Sequence, residues 1–324
     1  TLPTGIDKNG RDRTAVCCLS SLNLEKYDEW KDDKVMINDV MRFLDNVLTD
    51  FIERAPEQFD DAKYSAEKER SVGLGVMGFH SYLQQHSIPL ESVMSKAWNK
   101  KIFKHIQEHV DQASKDLADE RGPCPDAADY GYNERFSNKT AIAPTASISI
   151  ICGGASPGVE PVAANSYTHK TLSGSFNVRN RYLVELLEKH EKNTEDVWSG
   201  ITTNQGSVSH LDFLTDLERD VFKTAFELDQ KWIIELSGDR TPFISQAQSI
   251  NLFVPADIHK RELHKIHFDA WKKGLKSLYY CRSKSIQRAE NVNDTKATDV
   301  TANVYKSKPQ TTEQPEYEEC LSCQ

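Results

Sequence analysis

Apolar residues recur along this chain at two spacings, and the alternation between them sets out an architecture. Over residues 35–53, Ile37, Val40, Met41, Leu44, Val47, Leu48, Phe51 and Ile52 fall at three- and four-residue steps, the period of an amphipathic helix. Asp32 and Asp33, just before it, suit its positive end. Residues 91–121 repeat the pattern with Met94, Trp98, Ile102, Ile106, Val110, Ala113 and Leu117, and Gly122-Pro123 stops it. Shorter stripes predict helices over 177–192, over 212–236 closed by Gly238, and over 255–274 opened by Pro255. Residues 14–24, 249–254 and 276–281 read as strands, as does the start of 141–161. Residues 71–78, SVGLGVMG, form a Gly-spaced apolar segment where backbones can approach closely, and 58–70 is polar enough to predict a loop. Its GLGVMG lacks the rest of a dinucleotide-binding fingerprint. Strands alternating with long helices predict an α/β architecture with a largely parallel sheet or barrel. From about residue 289 the chain is poor in aliphatics and rich in Thr, Asn, Lys, Glu and Pro, which predicts a flexible tail.

Composition narrows the classes. Apolar residues make up 38% and charged residues 27%, enough to bury a core in a water-exposed protein. A net charge of -9 leaves no excess of Lys and Arg to neutralise nucleic-acid phosphates. No apolar run approaches the roughly 20 residues that cross a bilayer, and no signal peptide is visible. Seven cysteines, several inside apolar segments, fit a reducing, cytoplasmic setting better than a disulfide framework. The chain opens on Thr1, and the expectation is a processed or split piece of something longer.

Four features carry candidate chemistry. Residues 141–161, AIAPTASISIICGGASPGVEP, hold no basic side chain, and Glu160 is the one acidic residue. A strand giving way to hydroxyls and glycines is one way to build an anion cradle, because few side chains obstruct the backbone N–H groups. A buried strand with a Gly/Pro turn fits the same pattern. Cys320-x-x-Cys323 closes the tail and suits a swinging redox pair better than zinc, which needs about four ligands. Tyr279-Tyr280 fits either core packing or a one-electron, one-proton relay. Cys17 and Cys18 must point to opposite faces of a strand, so one faces a cavity while the other packs. The histidines, including His259, His264 and His267, show no matching carboxylate and predict no metal site.

In order, AVCCLSSLNL, RSVGLGVMGF, AIAPTASISIICGGASPGVEP, YTHKTLSGSFNVRN, QAQSINLFVP, HFDAWKKGLKSLYYCRS and CLSCQ resemble the C-terminal part of the large (α) subunit of class I ribonucleotide reductase. The resemblance covers about residues 15–288 and resumes at the end of the chain. It implies reduction of the ribose 2′-hydroxyl of a ribonucleoside diphosphate by thiyl-radical chemistry. The implied fold is the second half of a ten-stranded α/β barrel over 1–288, followed by a tail over 289–324. By resemblance, Cys17 is one of two cysteines that supply the reducing electrons. Pro144, Thr145, Ala146, Ser147 and Ile148 match the loop that binds the substrate diphosphate. Tyr279 and Tyr280 match the stacked pair that passes the radical from the small subunit. Cys320 and Cys323 match the tail dithiol that re-reduces the active-site disulfide and is itself reduced by thioredoxin or glutaredoxin. The implied partners are the N-terminal half of the large subunit and a metal-containing, radical-generating small subunit. No cofactor, nucleic acid or membrane contact is implied for this chain.

One departure matters. The family's thiyl-radical cysteine and its glutamate lie in an Asn-x-Cys-x-Glu motif that occurs nowhere in these 324 residues. The expectation is a chain inactive alone, one half of a split large subunit, with an intein junction as another origin. Two alternatives stand beside it. A cobalamin-dependent class II reductase fragment has no need of the tyrosine pair. A non-catalytic nucleotide-binding or assembly module predicts binding without thiol oxidation.

Overall fold

A computed structural model describes residues 2, 4–171 and 174–284. Five extended segments lie side by side in chain order, all parallel. Cys18–Asn23 pairs with Val72–Met77 in the register Cys18↔Val72 through Asn23↔Met77. Residues 139–142 add next, through the Leu74↔Thr140 bridge and a bond from Ala141 N to Leu74 O. Residues 246–250 follow through the Ile142↔Gln248 bridge and a bond from Gln246 N to Thr140 O. The chain runs on into Leu252–Pro255, which pairs in parallel with Cys281–Lys284. Parallel neighbours require long crossovers, and here each contains helix.

Four crossover helices form a layer in the same order. Met36–Arg54 packs on Val93–Arg121, that helix on Gln230–Arg240, and that on Lys260–Lys272. Leu22, Met41, Leu44, Leu74, Val76, Ile106 and Val110 join this layer to the strands in one buried cluster. Val72–Met77 shows why the sheet has two unlike faces. Val72, Leu74 and Val76 enter the cluster, while Gly73 and Gly75 face the other way. A Cβ at Gly75 would stand 2.2 Å from the carbonyl oxygen of Ala141, so the next segment approaches only because that side chain is missing. A smaller core around Leu183, Leu187, Trp198, Ile201 and Val221 belongs to the stretch between the third and fourth segments. That stretch also carries an antiparallel pair, Ser166–Thr171 with Gly174–Arg179.

Several boundaries differ from the expected ones. Residues 58–70 are not a loop. Asp60–Glu69 is a helix that buries Tyr64 among Ala62, Ser65 and Ala66, whose small side chains escape a search for large apolar stripes. The helix expected over 212–236 is two, Asp216–Val221 and Gln230–Arg240. Thr215 caps the first in a reciprocal box with Glu218, and Asp229 caps the second. Gly238 lies inside the second rather than closing it. Pro255 ends a strand, and the following helix starts at Lys260 behind the His259 cap. Asn177–Arg179 are strand, and Asn180 caps the helix Arg181–Lys189. Residues 143–151 do not continue the third strand: Pro144 and a left-handed Thr145 turn the chain into a short helix, Ala146–Ile151. The expected tail, with Cys320 and Cys323, lies outside the described residues. Among the described residues, no helix is long and apolar enough to cross a membrane.

Candidate active site

Cys17 precedes the first strand and sits on the glycine side of the sheet. A Cβ added at Gly73 would lie 3.2 Å from the Cys17 sulfur and 3.0 Å from the Ala141 Cβ, so the thiol and the third segment share one face. Cys18 packs instead against the main core, which gives the two adjacent cysteines the opposed directions expected of them. The Gln246 side-chain amide donates to the Cys17 sulfur at 3.2 Å and to the Val72 carbonyl at 3.0 Å. Burial pushes the Cys17 thiol up, Gln246 pulls it down and Glu69 pushes it up. Cys17, Cys18, Cys124, Cys152 and Cys281 are all free thiols.

The third segment ends in the loop formed by Pro144 and Thr145 and the first turn of Ala146–Ile151. Thr145 has φ 55° and is buried, and its hydroxyl accepts the Gly158 amide at 2.6 Å. That bond ties the start of the loop to its return. Gly158 itself has φ 52°, and a Cβ there would come 3.0 Å from the Ala143 carbonyl. The N–H groups of a first helical turn have no intrahelical acceptor, so Ala146, Ser147 and Ile148 present donors. Ser147 and Ile148 are exposed. The loop is therefore fixed from behind and open in front, which suits an anion.

Tyr279 and Tyr280 lie just before the fifth strand, which begins at Cys281 rather than spanning 276–281. Successive residues within a strand face opposite ways, and the earlier position lets the two rings approach to 4.2 Å between centroids at 56°. Both are half-exposed. The Tyr280 amide donates to Asn251 Oδ1 at 3.0 Å, and the Arg282 guanidinium lies 5.5 Å from the Tyr280 ring centre.

Glu160 connects these pieces. Its carboxyl is buried, Oε1 has no hydrogen-bond partner, and the Asn251 side chain bonds the group. Burial raises its pKa from 4.5 to about 7, against the pull of Asn251 and Arg282. Asn251 thus touches both the end of the 141–161 stretch and the backbone of Tyr280. Sequence reasoning singled out neither Glu160 nor Gln246 as site residues. The available signals were the lone acid in a neutral stretch and the two glutamines, Gln246 and Gln248, alternating at the head of an apolar strand.

Comparison with known proteins agrees with this geometry. The family model for the ribonucleotide reductase barrel domain matches residues 6–134 and 126–281. The ribonucleoside-diphosphate reductase large subunit of Invertebrate iridescent virus 6 is 52% identical over 87% of this chain and 30% of its own length. That of Invertebrate iridescent virus 3 is 45% identical over 88% of this chain and 46% of its own. Among solved structures, the Actinobacillus ureae class Id ribonucleotide reductase alpha subunit superposes with a TM-score of 0.79 at 39% identity, over 86% of this chain and 51% of that one. The chain thus spans about half or less of the length of these relatives. With most of its length matched by one family model, the chain belongs to the ribonucleotide reductase barrel-domain family.

Proposed function

We propose that this chain is part of a class I ribonucleoside-diphosphate reductase and forms the second half of its ten-stranded barrel. One observation carries the reading: a five-membered parallel ladder bears Cys17, the Pro144–Ile148 loop and the tyrosine pair in sequence. Thr145, Ser147 and the N–H groups of Ala146 and Ile148 hold the substrate diphosphate, with Pro144 setting the turn. Cys17 and a second thiol outside this chain deliver two electrons. Their two S–H bonds are lost and one S–S bond forms; the C2′–O bond breaks, the hydroxyl leaves as water with one of the hydrogens, and a C2′–H bond takes its place with the other. Tyr279 and Tyr280 pass the radical from a metal-containing small subunit toward the active-site cysteine: at each step one electron moves the opposite way, and each phenol loses its proton on oxidation and regains it on reduction. Cys320 and Cys323 then reduce the disulfide by exchange, and thioredoxin or glutaredoxin restores them. The residues 1–288 are the barrel portion in this reading and 289–324 the redox tail.

The thiyl-radical cysteine is not among these 324 residues, so turnover needs a segment that carries it. The test combines this chain with a polypeptide bearing the family's Asn-x-Cys-x-Glu motif, the small subunit and thioredoxin, and measures deoxyribonucleoside diphosphate. Product is expected from the full mixture and lost with Cys17→Ser. Product from this chain alone, or full turnover by Cys17→Ser, overturns the assignment.

A further inference from the structure

Gln246 is a buried amide whose place in the molecule is over-determined. Its carbonyl and those of Ile244 and Ser245 converge on the Lys276 ammonium. Its own N–H bonds the Thr140 carbonyl, and Ser245 is locked to Thr140 by side-chain and backbone bonds. The side chain leaves this clamp and crosses two strands to reach a sulfur 229 positions away in sequence. The same nitrogen donates to Val72 O, so its direction is fixed by two acceptors. On the other side Gly73 leaves room for the sulfur, since a Cβ there would press on it at 3.2 Å.

We propose that Gln246 is a positioning residue for Cys17: its amide holds the sulfur toward the open face and stabilises the thiolate that thiol–disulfide exchange requires. The inference rests on the reading of Cys17 as a redox cysteine. In exchange, an attacking thiolate forms a new S–S bond while the old one breaks. The departing sulfur keeps the electron pair and takes a proton from water afterwards. An amide N–H aimed at that sulfur favours the anion both as attacker and as leaving group. Among the described residues, the titratable side chains acting on Cys17 and its neighbour are Glu69, Arg70 and the two thiols themselves. Glu69 opposes the anion. Gln246 is the neutral donor set against it.

The experiment follows iodoacetamide alkylation of Cys17 against pH in the 324-residue chain, with fragment masses separating the Cys17 label from Cys18. Gln246→Leu should move the midpoint of the rate profile upward and slow alkylation about tenfold at pH 8. Gln246→Glu, which puts a carboxylate beside the sulfur, should slow it further. Unchanged midpoints in folded variants overturn the proposal and leave Gln246 as a strut for Val72. A second measurement needs neither variant to fold: the side-chain amide resonance of Gln246 in the unsubstituted chain should titrate together with Cys17. A resonance flat through that titration also overturns it. Neither readout uses turnover, so loss of reductase activity in a separate Cys17→Ser assay stands or falls independently.

Discussion

Glu160→Gln tests the buried carboxyl at the junction of loop and tyrosine pair. Glu160 is 8% exposed, and its Oε1 meets no donor. Burial holds its folded pKa at about 7 against an ordinary 4.5. The sign follows from proton counting. Below pH 4.5 the acid is protonated in both states and contributes no pH dependence. Between 4.5 and about 7 the folded chain retains a proton that the unfolded chain releases, so stability falls as pH rises. Above about 7 both states are ionised and the full penalty persists. At about 1.4 kcal/mol per pH unit, that interval corresponds to a ceiling of about 3 kcal/mol, and water entry would reduce it. Glutamine keeps the shape and a neutral hydrogen-bonding group at all pH values. Urea denaturation of both proteins at pH 5, 6.5 and 8 gives their stability difference, in which every other titration common to both cancels. Glu160→Gln should gain about 1–3 kcal/mol relative to the parent between pH 5 and 8. A difference flat over that range would mean that the carboxyl is solvated and titrates normally, which refutes the buried, half-satisfied geometry.

Gly75→Ala should cost about 1–3 kcal/mol or more in a denaturant titration, because the new methyl meets backbone rather than a movable side chain. Asp45→Asn should cost about 3–5 kcal/mol, since Arg70, Arg121 and Arg135 all bond this fully buried carboxylate; a loss under about 1 kcal/mol by the same titration would contradict that network. Tyr280→Phe should abolish turnover in the reconstituted enzyme while leaving the thermal midpoint within a few degrees, because the ring is half-exposed; undiminished turnover removes the relay. Expressed alone, the chain should self-associate in size-exclusion chromatography through exposed apolar residues such as Leu19, Ile148, Ile150 and Ile151, and Ile151→Asp should shift it toward monomer.

How much of this was legible in the chain depends on how local the determining interaction is. Ile37, Met41, Leu44 and Leu48 repeat at the helical period, and all four are buried in the core. The stretch 141–161, with hydroxyls, glycines, no basic side chain and one acid, announced a special loop because composition alone changes there. The break in the expected helix over 212–236 was harder to see, since apolar residues continue through it; what ends the first helix is the chain turning so that Ala225 N reaches Val162 O. Gln246 and Glu160 mark the limit. A glutamine or glutamate in a sequence reads as surface, and its burial follows only from which strands become neighbours. Cys17 meets Gln246 on the face of the sheet where Gly73 places no side chain between them. The missing Cβ atoms of Gly73 and Gly75 also let Ala141 close in on that face. The pattern of glycines at alternate positions was visible from the start as a sign of close backbone approach. What it brought together, a thiol at one end of the chain and an amide at the other, could be named only once the order of the strands was known.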